Sequence, residues 1–149
     1  LRNIFNMKIN IKKLNELAEI PKYQTDGAAC FDLVATSMEI DRMNNQIKYG
    51  LGLAFEIPKG YKGNLYPRSS IVKTSLRLGN CTGIIDSDYR GEVSLVFDIL
   101  ENSKLPYYAI GERIGQMEIV PVLQVKFKES KELSETVRGS GGYGSTNTK

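Results

Sequence analysis

Apolar side chains recur at every second position over long stretches of the chain, the spacing of half-buried β-strands rather than helices. Between residues 47 and 57, Ile47, Tyr49, Leu51, Leu53, Phe55 and Ile57 share one face. Val93, Leu95, Phe97 and Ile99 repeat the pattern, and Met7, Ile9 and Ile11 begin it. Residues 117–127 are mostly apolar with Pro121 inside. Proline has no N–H for a strand ladder, so this stretch predicts an edge strand or two strands meeting at Pro121. Pro58-Lys59-Gly60, Lys62-Gly63-Asn64, Gly79-Asn80, Asn102-Ser103 and Gly111-Glu112 supply turns between the runs. Two segments read as helical: residues 69–76, where Ser69 and Ser70 are cap-type residues after Pro67, and residues 12–19. Many short strands with regular punctuation predict an all-β sandwich or closed barrel.

The length of 149 residues fits one domain. A chain of this size buries about two-thirds of its unfolded surface, enough for a core without disulfide or metal staples. Lys and Arg number 20 against 17 Asp and Glu, a net charge of +3 without a basic block, so no direct nucleic-acid partner is expected. The longest apolar runs fall far short of a membrane span, so no membrane partner is expected either. The absence of His excludes Ser-His-Asp and Cys-His catalysis and any His-containing zinc site. A general base must then be Asp, Glu, Lys, Tyr, Cys or a terminal amine. Cys30 and Cys81 are enough for one disulfide, but the pattern favours two buried free thiols in a reducing compartment. The start Leu1-Arg-Asn-Ile-Phe5 lacks a signal-peptide apolar region, which predicts a soluble, cytoplasmic protein, or a host-cytoplasmic one for a viral chain. Met7 is an alternative start, with residues 1–6 a leader or expression remnant.

Five short constellations carry candidate chemistry. Arg68-Ser69-Ser70 places a guanidinium and two hydroxyls at a helix start, an arrangement that suits an anion and equally an ordinary cap. Gly83-Ile84-Ile85-Asp86-Ser87-Asp88-Tyr89 runs an apolar strand into an acidic turn. A partly desolvated Asp86 would suit a general base, while the same pair alone also reads as a turn stabilised by Asp side chains. Asp32 lies inside the apolar run Ala28–Ala35 and requires either a cation or an outward position. Gly111-Glu112-Arg113-Ile114-Gly115-Gln116 leads from a turn into a strand and is uninformative alone. Residues 138–149, Arg-Gly-Ser-Gly-Gly-Tyr-Gly-Ser-Thr-Asn-Thr-Lys, hold no acid and almost no apolar side chain. They cannot pack as core, and predict either a frayed terminus or a mobile arm that clamps phosphate and base. The domain proper is accordingly placed at residues 1–137.

Taken in order, AACFDLVA, PRSSIVK, GNCTGIIDSDYRGEV, GERIGQMEI and RGSGGYGST closely resemble the five motifs of the trimeric dUTPases, which hydrolyse dUTP to dUMP and pyrophosphate. The resemblance spans about residues 28–146. It implies a distorted β jelly-roll with one short helix, a homotrimer sharing each site, and a C-terminal arm that closes it. Asp86 then matches the acid that activates water, and Tyr89 the aromatic under the deoxyribose. Asn80, Gly83, Ile84 and Ile85 match the hairpin reading uracil. Arg68, Ser69, Ser70 and Gln116 match phosphate and structural contacts, and Asp32 the acid that holds Mg2+ through water. Arg138, Gly142, Gly144 and Ser145 match the arm over the phosphates, with Tyr143 in place of a stacking Phe. Ser70 stands where Gly is usual, and Arg-Ser-Ser also occurs in the related dCTP deaminases. Those enzymes carry a catalytic Glu where this chain has Val96, which cannot do acid–base work. Two further readings are a dUTP-binding module that signals to a regulatory protein and a purely structural jelly-roll subunit. The acid at Asp86 argues against the first as a sole role, and the ordered motifs argue against the second.

Overall fold

The alternation predicted along the chain becomes ten antiparallel strands in the computed structural model, which describes residues 7–144. Ser145 and the proposed leader, residues 1–6, lie outside those residues. One four-stranded sheet joins β2 (Phe31–Val34), β10 (Arg113–Pro121), β6 (Tyr61–Pro67) and β8 (Gly83–Ile85) in that order. The other joins β3 (Ser37–Asp41), β4 (Gln46–Gly50), β9 (Ser94–Ile99) and β7 (Leu76–Leu78). A ribbon of β1 (Asn10–Lys13) and β5 (Leu53–Glu56) completes the jelly-roll sandwich.

The inward residues of both sheets meet in one cluster. Phe31, Leu33, Leu65, Ile114 and Met117 come from the first sheet, and Ile47, Tyr49, Leu95 and Phe97 from the second. All six apolar positions of the 47–57 run are buried, although the run is two strands, broken at Leu51-Gly52 where Gly52 takes φ +63°. Only a residue without a Cβ adopts that turn at low cost. Tyr49 and Phe97 meet edge to face at 5.7 Å, and the Tyr49 hydroxyl donates to the Tyr108 carbonyl at 2.9 Å.

Four local expectations are corrected. Residues 12–19 form no helix: Lys12 and Lys13 finish β1, and Leu14 donates its N–H to the Gly52 carbonyl. Leu14 and Leu17 are exposed, so the segment has no apolar stripe to bury. Residues 69–76 give a single 3-10 turn, Ser69–Lys73, before β7; Arg68 holds the N-cap position and no side chain caps it. A turn this short has no useful dipole, so the anion argument based on a helix start fails there. The 117–127 run is one strand that begins at Arg113 and ends at Pro121, whose partner is Tyr61. Cys81 is exposed and Cys30 only half-buried, both free, because Cys81 sits on a turn with φ 60° rather than in the core.

Burial pushes the Tyr49 hydroxyl up to about 12. The unfolded tyrosine ionises near 10, so its folded-state preference for the neutral form is fully present below about pH 10 and is lost as pH rises towards 12. Tyr49→Phe is expected to lose about 1–2 kcal/mol at neutral pH, because the Tyr108 carbonyl is left unpaired. Urea titrations from pH 8 to 11.5 should show wild type and variant converging; parallel curves would contradict the assignment.

Candidate functional site

The polar outer face of the first sheet carries most of the candidate residues. Cross-strand partners point to the same side, so Asp32, Gln116 and Tyr66 form one row across β2, β10 and β6. Glu118, Asn64 and Ile84 form the next row. A bulge in β10 decides what joins them. Arg113 pairs with Val34 and Gln116 with Asp32, so three steps on β10 answer two on β2. Arg113 and Gln116 would face opposite ways in a regular strand; the extra residue turns both outward.

That geometry builds a double clamp. Arg68 Nε donates to Asp32 Oδ1 at 2.8 Å, and Arg113 Nη1 donates to Asp32 Oδ2 at 3.1 Å. The Asp32 side chain is 10 % exposed, whereas those of Arg68 and Arg113 are 25 % and 47 % exposed. The carboxylate therefore sits beneath two guanidiniums that keep donors free for an anion. Ser70 Oγ lies 3.0 Å from the Tyr108 hydroxyl and links the Arg68 loop to the aromatic core. Gln116 Nε2 donates to the Pro67 carbonyl at 3.0 Å and braces the same loop. Ser69 is exposed. Beside the clamp, the Tyr66 hydroxyl donates to Glu118 at 2.7 Å, and that bond raises its ordinary proton affinity. Burial, then the carboxylates of Glu118 and Asp32, hold the Cys30 thiol in its neutral form.

The acidic turn lies elsewhere. β8 is an edge strand, so its side away from β6 presents free backbone donors and acceptors. Asp86 follows it, exposed, and the Tyr89 N–H donates to the Asp86 carbonyl at 3.2 Å. Asp86 is exposed rather than partly buried, because it lies in the turn after β8 and not on the strand. Asn80 is also exposed, in a tight turn where Thr82 N–H donates to its carbonyl at 2.6 Å. A cavity of about 160 Å³ is bounded by Ile84, Ile85, Asp86, Tyr89, Glu92 and Val93. A second, of about 320 Å³, is bounded by Asp32, Arg113, Val34, Lys22 and Gln24 among others. The two share no residue. β2 and β8 are the opposite edges of the sheet, three strand spacings or about 14 Å apart, and Asp86, which follows β8, is also offset along the strands from the row that holds Asp32.

The described part of the arm, residues 138–144, lines neither cavity. Arg138 Nε donates to the Gly141 carbonyl at 2.9 Å, and Tyr143 is fully exposed with φ 49°. Gly142 and Gly144 flank it. Among the described residues no group of three acidic, Cys or His side chains is placed to hold a metal. Asp32 has both oxygens on arginines and is therefore not set to bind an ion directly. Arg113, Tyr108 and Glu92 were not singled out as site residues from sequence. The bulge hides Arg113 and long-range contacts place the other two, although Arg113 inside a motif was a usable signal.

Comparison with known proteins gives consistent answers. The dUTPase family profile matches residues 16–147. A deoxyuridine 5'-triphosphate nucleotidohydrolase of Nautilia profundicola is 46% identical over 143 residues, covering 94% of this chain and 99% of that one. The dUTPase of Staphylococcus bacteriophage 80alpha, solved with dUPNHPP, superposes with a TM-score of 0.79 at 25% identity, covering 93% and 97% of the two chains. A mutant dUTPase from phage phi11 of S. aureus, described with a structural Mg(II) ion, shares the fold with a TM-score of 0.69 at 22% identity over 85% and 98%.

Removing the shared acceptor by Asp32→Ala should destabilise the fold by about 1–3 kcal/mol, since two guanidiniums lose their partner at a nearly buried position. Arg113→Ala should cost under about 1 kcal/mol, because that half of the clamp is largely solvated. Chemical denaturation of both variants checks the order; a larger loss in Arg113→Ala would refute it.

Proposed function

The chain belongs to the dUTPase family, and on that premise we propose that it hydrolyses dUTP to dUMP and pyrophosphate, with Asp86 activating the water that attacks the α-phosphorus. The observation that carries this reading is the exposed Asp86–Tyr89 turn at the end of an edge strand, matched by a guanidinium pair of Arg113 on β10 and Arg68 just after β6. Backbone groups of Gly83, Ile84 and Ile85 suit a uracil edge, with Asn80 beside them. Fixed donors and acceptors reject cytosine because wrong pairing leaves buried groups unsatisfied. Tyr89 supplies the shelf under the deoxyribose. Arg68 and Arg113, held in place by Asp32, Gln116 and Ser70, lower the charge barrier to water and stabilise the leaving pyrophosphate. Ser69 lies in the same loop as a hydroxyl contact. Mg2+, when bound, adds charge neutralisation and phosphate orientation, with Asp32 reached through water. Such an activity lowers the dUTP available for DNA synthesis and supplies dUMP for thymidylate.

The separation of the two cavities supports completion of each site between copies, as a homotrimer. In that arrangement the acidic turn of one subunit faces the arginine pair of another. Residues 138–149 act as the arm, Arg138 and the Gly142, Gly144 and Ser145 backbone covering phosphates and Tyr143 stacking on uracil.

A panel of dUTP, UTP, dCTP and dTTP with Mg2+ tests the reading. Pyrophosphate from dUTP alone is expected; ammonia from dCTP, or tight binding without turnover, would overturn it. Asp86→Asn should cut turnover by about 10²–10⁴-fold with little change in dUTP affinity, read by single-turnover kinetics and calorimetry. Deleting residues 138–149 should leave circular dichroism and melting intact, since the last strand among the described residues ends at Pro121, yet abolish most turnover. A truncation that retains full activity would remove the arm from the mechanism.

A further inference from the structure

We propose that Glu92 is a positioning residue: it locks the Tyr89 shelf to the core and so sets discrimination between deoxyribose and ribose. The proposal rests on the dUTPase reading and deepens it. Glu92 acts at both of its ends. Its backbone carbonyl accepts a hydrogen bond from the Tyr89 hydroxyl at 3.0 Å. Its carboxylate Oε1 accepts the Gly52 N–H at 2.8 Å, forty residues away in sequence. The neighbouring backbone explains why that N–H is available. Leu51 N–H donates to the Val93 carbonyl and Val93 N–H donates to the Leu53 carbonyl, straddling Gly52 and leaving its donor to a side chain.

The seat for the carboxylate is made of glycine. A Cβ at Gly50 would come within 2.6 Å of Glu92 Oε1 and 2.5 Å of Ser37 Oγ, so any side chain there would displace the acid. Gly91 plays the matching part at the other end. A Cβ on it would collide with the Tyr89 hydroxyl and ring, so its absence lets the tyrosine lie back along the chain. Tyr89 is 44 % exposed and stands outside the core cluster that could otherwise orient it. Its orientation depends on the bond to Glu92, and Glu92 is held by the bond to Gly52. A shelf that must exclude a single hydroxyl requires a fixed ring, because a loose ring yields space to ribose.

Glu92→Ala should lower the dUTP-over-UTP ratio of kcat/KM by about three- to tenfold, the size of one lost hydrogen bond. Glu92→Gln retains an acceptor and should restore the ratio to within about twofold of wild type. Gly50→Ala, which expels the carboxylate without touching the hairpin, should reproduce the alanine phenotype. Melting temperatures measured alongside separate a general loss of fold from a change in selectivity. An unchanged ratio in Glu92→Ala, or a glutamine variant as unselective as alanine, would overturn the role of Glu92 while leaving dUTP hydrolysis intact. Wild-type protein that fails to hydrolyse dUTP would instead overturn the enzymatic reading and this one with it.

Discussion

The order of strands in one sheet constrains everything else in this molecule. With β2 and β8 at opposite edges of a four-stranded ladder, the carboxylates of Asp32 and Asp86 are held apart within a chain and line separate cavities. Hydrogen-bonded strands keep a fixed spacing, so no side-chain rotation closes the gap. On the proposed reading, each chain then carries two half-sites. One is positively charged around Arg68 and Arg113, and one is acidic and edged with free backbone groups. On that reading activity arises by association, which would tie catalysis to assembly without a separate switch.

Charge placement around Asp32 depends on a single irregularity. The extra residue in β10 brings Arg113 onto the face already holding Gln116 and Asp32. A carboxylate with two guanidiniums above it is stable where a lone buried acid is not, and the two arginines are held in fixed orientations. The aromatic cluster of Tyr49, Phe97 and Tyr108 then carries rigidity outward. The Tyr108 hydroxyl meets Ser70, whose loop bears Arg68. Core packing and the arginine pair are therefore linked by a short chain of contacts.

Beyond Pro121 the chain changes character. Val122 still donates to the Gly60 carbonyl, but Leu123, Val125 and Phe127 point into solvent at two-residue spacing. An alternating apolar run outside any sheet leaves these side chains uncovered within the chain. The difference between the strand pattern of residues 117–127 and the strand's end at Pro121 thus has a physical cause. The pattern is of the right kind, but beyond Pro121 no strand among the described residues pairs with it.

Much of the fold was legible in the residues because period-two burial is a local property. Ile47 to Ile57 and Val93 to Ile99 face inward as their spacing demands, and the all-β class follows. The ordered motifs likewise named the family, since each is contiguous in sequence. Local signals failed where a partner distant in sequence decided the outcome. Residues 12–19 have helix-compatible composition, yet Leu14 pairs with Gly52 and the helix never forms. Ser69 and Ser70 look like caps, yet Arg68 takes that position. The β10 bulge, the Asp32 double clamp, the Glu92–Gly52 tie and the separation of the two acids arise only when strands far apart in the chain align. Local spacing dictates which way a side chain faces; only the assembled sheet decides which side chains meet.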